Sequence, residues 1–182
     1  MLTGWDLSLK EWGIGQGVKS LAFQARNQGF ESPMPCKNNK MKQIEQVREW
    51  TEKTKVLPIY LRSEIDPDIL DLREKLMREE LDELIEAMRS KPLSDVLKEA
   101  SDVLYVLIGT ILEYGAGDIF PLVFDEVQRS NMSKFVDGQV LRREDGKILK
   151  GPNYSPADID SVIIGYLQEK DWEVVNDRVK GR

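Results

Sequence analysis

Apolar positions change their spacing sharply along this chain. In residues 1–40, Gly4, Gly13, Gly15, Gly17 and Gly29 interrupt every helical pattern, and Pro33 and Pro35 precede the polar run Lys37-Asn38-Asn39-Lys40. A segment of that kind is expected to be a weakly ordered extension, with Met41 as an alternative start of the protein. From Met41 the spacing turns helical: Met41, Ile44, Val47 and Trp50 predict a short first helix. Lys55 to Ser63, with Pro58, reads as a connection. Asp66-Pro67 then opens a long helix, Asp66 as its N-cap and Pro67 in its first turn, running to about Arg89. Ser94 is the expected cap of a third helix, which ends near Tyr114, before Gly115 and Gly117. Asp118 and Pro121 mark a fourth, to near Ser130. Val136 to Leu141 and Lys147 to Leu149 flank Arg143-Glu144-Asp145-Gly146, a hairpin signal, and Pro156 opens a short helix carrying Ile159, Val162, Ile163 and Tyr166. The expected fold class is therefore all-α: a four-helix core over 41–170 with a small C-terminal hairpin and short helix, then a tail over 171–182.

Two acidic clusters break the apolar stripes. Glu80 and Glu83 are three residues apart, as are Glu99 and Asp102, so each pair lies on one helix face. Such runs are usually solvated surface, and angular position argues otherwise. At roughly 100° per residue, Leu76 and Leu84 lie about 80° apart with Glu80 between them and Glu83 on the edge. Glu79, Asp82 and Glu86 fall on the outer side. Val103 to Leu112 is apolar nearly all round, which predicts a central third helix, and Glu99 and Asp102 project in the directions of Val103, Tyr105 and Val106. Antiparallel packing across the turn at Lys91 to Leu93 would bring four carboxylates together. Buried unpaired carboxylates are costly, and with no sufficient fixed cation expected nearby, a bound divalent ion is the economical explanation.

Composition sharpens that reading. The chain has no histidine, which excludes Ser-His-Asp and Cys-His hydrolysis, His-ligated zinc and a Glu-x-x-His di-iron bundle. All-oxygen ligation indicates Mg²⁺, with Mn²⁺ as a substitute. The single Cys36 permits no internal disulfide and fits a reducing, cytoplasmic setting. A net charge of −6 offers no general attraction to a nucleic-acid polymer or an anionic membrane. No charged-then-apolar leader and no apolar run of about 18 residues indicates secretion or membrane spanning.

Glu79-Glu80-x-x-Glu83 followed after a short gap by Glu99-x-x-Asp102 resembles the signature of the all-α NTP pyrophosphatases, the superfamily of MazG, dimeric dUTPases and phosphoribosyl-ATP pyrophosphohydrolase. Ser101-Asp102-Val103-Leu104-Tyr105, Asn131 to Lys134, and Lys150-Gly151-Pro152-Asn153-Tyr154 extend the likeness to short, often phage-encoded MazG-like proteins. The resemblance covers Met41 to about Ile159. It implies Mg²⁺ on Glu80, Glu83, Glu99 and Asp102, with Glu79 and Glu80 as the catalytic acids; Glu79 would serve a second metal or orient the attacking water. Lys134 and Lys150 would hold the β- and γ-phosphates, and Asn131, Asn153 and Tyr154 would contact phosphate or sugar. For Asn131, Asn153 and Tyr154, loop structuring is an equal alternative.

The implied reaction is (d)NTP plus water to (d)NMP and pyrophosphate, with a purine such as dGTP preferred, in a cytoplasmic dimer or tetramer, in the host cytoplasm if the protein is phage-encoded. Two rivals stand beside it. One is phosphoribosyl-ATP pyrophosphohydrolase in histidine synthesis; the other is a non-catalytic acidic helical adaptor.

Overall fold

The computed structural model of the chain describes residues 41–58 and 60–179, with side chains as far as 170. Expectations for residues 1–40 lie outside that range. The described chain is all-α apart from one two-stranded antiparallel sheet, and forms two compact units, 41–118 and 119–179. None of its helices is long and apolar enough to cross a membrane.

The first unit begins with α1 (Lys42–Glu52), which buries Ile44, Val47 and Thr51. Thr51, four residues past Val47, takes the inward position, and its hydroxyl donates to the Val47 carbonyl at 2.7 Å. Trp50, expected on that stripe, is instead 57% exposed. Its ring still meets Tyr105 edge-on, with centroids 6.2 Å apart.

The next helix, α2 (Pro67–Ser90), starts as the sequence predicts: Asp66 accepts a hydrogen bond from the Asp68 amide at 2.9 Å, with Pro67 at the first position. Its inward stripe runs through Ile69, Arg73, Leu76, Glu80, Leu84 and the fully buried Ala87. After the turn at Lys91, α3 (Leu93–Glu113) has Pro92 as its N-cap; Ser94, expected to cap it, already lies inside the helix and makes no capping bond. Proline suits that position because its ring holds φ, here −67°, at a value the extended cap allows. The first helix packs on α3 as well.

A polar layer fixes the register of α2 against α3. Arg73 Nε donates to Thr110 Oγ1 at 3.0 Å, and its Nη2 donates to the Val106 carbonyl. Its guanidinium occupies the space a side chain at Gly109 would fill, where a Cβ would come within 2.7 Å of Nη2. Burial pulls the Arg73 pKa down while buried Glu113 opposes the shift, and Lys55 ion-pairs with Glu113. Arg73 pairs with residues near position 108, while Glu80, two turns later, meets Glu99. The two helices therefore run antiparallel.

In the second unit α4 (Phe120–Met132) leads into β1 (Phe135–Val136) and β2 (Gln139–Val140). The connecting Asp137 and Gly138 both take positive φ, the geometry that a two-residue hairpin turn requires. That hairpin is additional to the one read from the sequence, which forms around the bridge Arg142↔Ile148. Then α5 (Ile159–Val179) runs on into the segment read as a tail. Asp158 caps its start, accepting from the Ser161 amide at 3.0 Å.

Buried Glu126 fastens α4 to that cap. It accepts from Arg129 Nε and Nη2 at 2.7 Å each and from the Asp158 amide at 2.8 Å. The Arg129 guanidinium and then the Asp158 amide hold its carboxyl below the usual range against the opposing effect of burial. Because the folded-state pKa is depressed, this stability is present above the ordinary carboxylate range and lost as pH falls through the folded value. Glu126→Gln is expected to lower Tm by several degrees at pH 7, and the gap from the unaltered protein should close on acidification below about pH 4. A gap that stays constant with pH would show that the charge contributes nothing.

Candidate metal centre

The antiparallel pairing of α2 and α3 places Glu80 and Glu83 beside Glu99. One carboxylate oxygen from each of the three lies within 4.8 Å of the others. Glu99 is only 7% exposed, Glu80 is half-buried and Glu83 is exposed. Burial first, then the negative charges of Asp102, Glu83 and Glu79, push the Glu80 carboxyl above its usual range, with Lys98 opposing them. The donors thus repel one another, and a cation among them would relieve the strain.

Asp102 stands one turn along α3 from Glu99, outside the group of three and half-buried. What joins it to Glu99 is Lys98. Its ammonium nitrogen lies 3.0 Å from Glu99 Oε2 and 3.0 Å from Asp102 Oδ2. This corrects two sequence expectations. The acids do have a cation at hand, and they are not all forced into the apolar interface, since only Glu99 is buried among the four. The third helix is also less enclosed than its composition predicts: Leu104, Tyr105 and Leu107 are exposed. The four-residue spacing of Lys98 and Asp102 was the available signal for the ion pair.

The donor chemistry fits a hard divalent cation. Oxygen ligands at about 2.1 Å in octahedral geometry stand about 3 to 4 Å apart, which small side-chain adjustments would reach here. Glu79 is exposed on the outer flank of α2, contributing to the negative field at Glu80. Arg78 lies on the surface, where it pairs with Glu74 at 2.7 Å.

The other candidate residues belong to the second unit. Lys134 Nζ donates to Asn131 Oδ1 at 2.8 Å, and Lys150 Nζ lies 4.4 Å from the centre of the Tyr154 ring. A hydrogen bond from Ser130, then the charges of Lys150 and Lys134, hold the Tyr154 phenol below its usual pKa. Asn153 is exposed in the turn before Tyr154. Asn131, Lys134, Lys150 and Tyr154 therefore form a basic cluster, with buried Ser130 as a member the sequence reading did not single out. Gly151 lets this loop approach β1 closely, for a Cβ there would meet Val136 Cγ2 at 2.9 Å.

No curated protein matches the chain in sequence. Residues 44–131, from within α1 to the end of α4, match the family described as phosphoribosyl-ATP pyrophosphohydrolase. That match covers the paired acidic motifs on α2 and α3, and the acidic cluster agrees with the metal dependence typical of MazG-like pyrophosphohydrolases. Over residues 44–131 the chain is thus similar to this family of nucleotide pyrophosphohydrolases, part of the MazG-like all-α NTP pyrophosphatase superfamily.

Proposed function

We propose that the protein hydrolyses a nucleoside triphosphate, NTP or dNTP, to the monophosphate and pyrophosphate at a Mg²⁺ centre held by Glu80, Glu83, Glu99 and Asp102. The observation that carries this reading is the convergence of Glu80, Glu83 and Glu99 oxygens within 4.8 Å across the α2–α3 pair. When bound, the ion would supply electrostatic stabilisation of charge developing on the phosphate oxygens and acidify a coordinated water. Mn²⁺ is expected to substitute. Glu79, beside Glu80 yet outside the three-oxygen group, is the proposed orienter of the attacking water, and Glu80 the second catalytic acid. Water oxygen bonds to the α-phosphorus, the bridging oxygen leaves with pyrophosphate, and the water's proton passes to a carboxylate. Lys134 and Lys150 are the proposed holders of phosphate oxygens, and Asn131, Asn153 and Tyr154 of phosphate or sugar. A purine such as dGTP is the favoured substrate, and trimming of a nucleotide pool, as in phage replication, the favoured role.

A second reading, phosphoribosyl-ATP as substrate, is favoured by the description of the family that residues 44–131 match. Comparing kcat/KM for phosphoribosyl-ATP against each NTP and dNTP with Mg²⁺ separates the two. The proposal expects a nucleoside triphosphate to lead by at least about tenfold, a difference of about 1.4 kcal/mol in transition-state binding. A lead for phosphoribosyl-ATP would replace it.

Self-association belongs to the same proposal. Leu93, Leu97, Leu104 and Leu107 form a second, exposed apolar stripe on α3, and Leu81, Ile85 and Met88 another on α2. Stripes of that kind support a dimer or tetramer, since lone chains rarely leave such faces in water. Leu104→Lys is expected to reduce the mass seen by light scattering to that of a monomer. An unchanged mass would exclude this stripe from the interface.

A further inference from the structure

We propose that Lys98 is a placeholder cation: in the metal-free protein it occupies the charge position of the divalent ion, and the ion must displace it to bind. The inference rests on the metal centre proposed above and concerns the control of that site. One ammonium group lies 3.0 Å from an oxygen of Glu99 and 3.0 Å from an oxygen of Asp102, so it spans both acids that α3 contributes. Glu99 is buried and needs a partner when no ion is present. Lys98 supplies one without being locked in place, for its side chain is 64% exposed and its stem is flexible. An ion ligated by Glu99 and Asp102 at about 2.1 Å would stand within about 5 Å of an ammonium still bound to the same carboxylates. A divalent and a monovalent cation that close repel strongly, so one leaves. Binding of the ion is thus an exchange, which keeps the acids of α3 paired when the centre is empty and weakens its hold on bare metal.

Titration of the EDTA-stripped full chain with Mn²⁺, followed by electron paramagnetic resonance, tests this directly. Lys98→Met is expected to bind Mn²⁺ about tenfold more tightly than the unaltered protein, the size of one removed unit charge near a divalent ion. In EDTA the same variant should melt at lower temperature, because Glu99 loses its partner, and Mn²⁺ should restore the loss. Lys98→Arg, which keeps the charge, should stay near the unaltered affinity. Lys98→Gln retains a polar head over Glu99 and is expected to show the same tightening if the methionine variant does not fold. If the unaltered protein binds Mn²⁺ and neither neutral variant binds it more tightly, the placeholder role is wrong and the metal centre stands. If no folded form binds Mn²⁺, the metal centre falls and the placeholder with it.

Discussion

Glu80→Gln is expected to reduce pyrophosphate release by about 100- to 1000-fold, the scale of losing one preorganised electrostatic contact at a reacting phosphate. In EDTA at neutral pH the same variant is expected to melt at higher temperature than the unaltered protein. Both effects have one cause. The Glu80 carboxylate is half-buried among Asp102, Glu83 and Glu79, and its pKa is raised by burial and by those charges. Its ionised form is therefore disfavoured in the folded chain without metal, and a neutral amide of the same shape removes the repulsion. A residue that lowers stability where it serves chemistry is a common feature of functional sites. Melting curves in EDTA beside a coupled pyrophosphate assay with Mg²⁺ give both readings. A variant that keeps full activity would remove Glu80 from the centre, and one that melts lower would show that its charge is already compensated.

Gly115→Ala should cost about 3 kcal/mol or more of folding stability. Gly115 closes α3 with φ 66°, its amide bonded to the Leu112 carbonyl, while the Ala116 amide reaches the Ile111 carbonyl. That pair of bonds is the Schellman ending, which places a left-handed residue just past the helix. A non-glycine residue there loses about 1–2 kcal/mol from its Cβ alone. Space makes matters worse: the new Cβ would lie 2.2 Å from the Tyr60 carbonyl oxygen, a backbone atom that cannot rotate away. The Arg62 amide bonds the Tyr114 carbonyl at 2.9 Å, so the two segments are tied together at this point. Urea unfolding with an unchanged m-value and a midpoint shift of that size is the expected result. A loss under about 1 kcal/mol would mean that the 60–62 segment does not rest on the end of α3 in solution.

Much of the centre was legible because helical periodicity is a strong signal where a stripe is long. Asp66-Pro67 fixed the start of α2, and the spacing from Leu76 to Leu84 located Glu80 on the inward face. The short first helix and the helix ends were less readable: Thr51 displaced Trp50 from the α1 stripe, and Pro92 took the position expected for Ser94. Periodicity gives a side chain's direction and not its depth, so Glu83 and Glu99 share a cluster yet differ in exposure. Lys98 was partly hidden for a related reason. Its spacing signals only the pair with Asp102 four residues on; next to Glu99 it points elsewhere on a helical wheel, and only its long stem carries the ammonium to that second carboxylate. In the second unit, Lys134 and Asn131 could be paired from sequence by their spacing, whereas Tyr154 meets Ser130 only through the folded loop.

Phosphorus-31 NMR of a purified sample given dGTP, and each other triphosphate in turn, tests the central proposal most directly. Monophosphate and pyrophosphate should appear in equal amounts with Mg²⁺, and neither should form in EDTA or with Glu99→Gln. Inorganic phosphate with a diphosphate as first products, or turnover indifferent to EDTA, would contradict the proposed metal-assisted cleavage between the α- and β-phosphates.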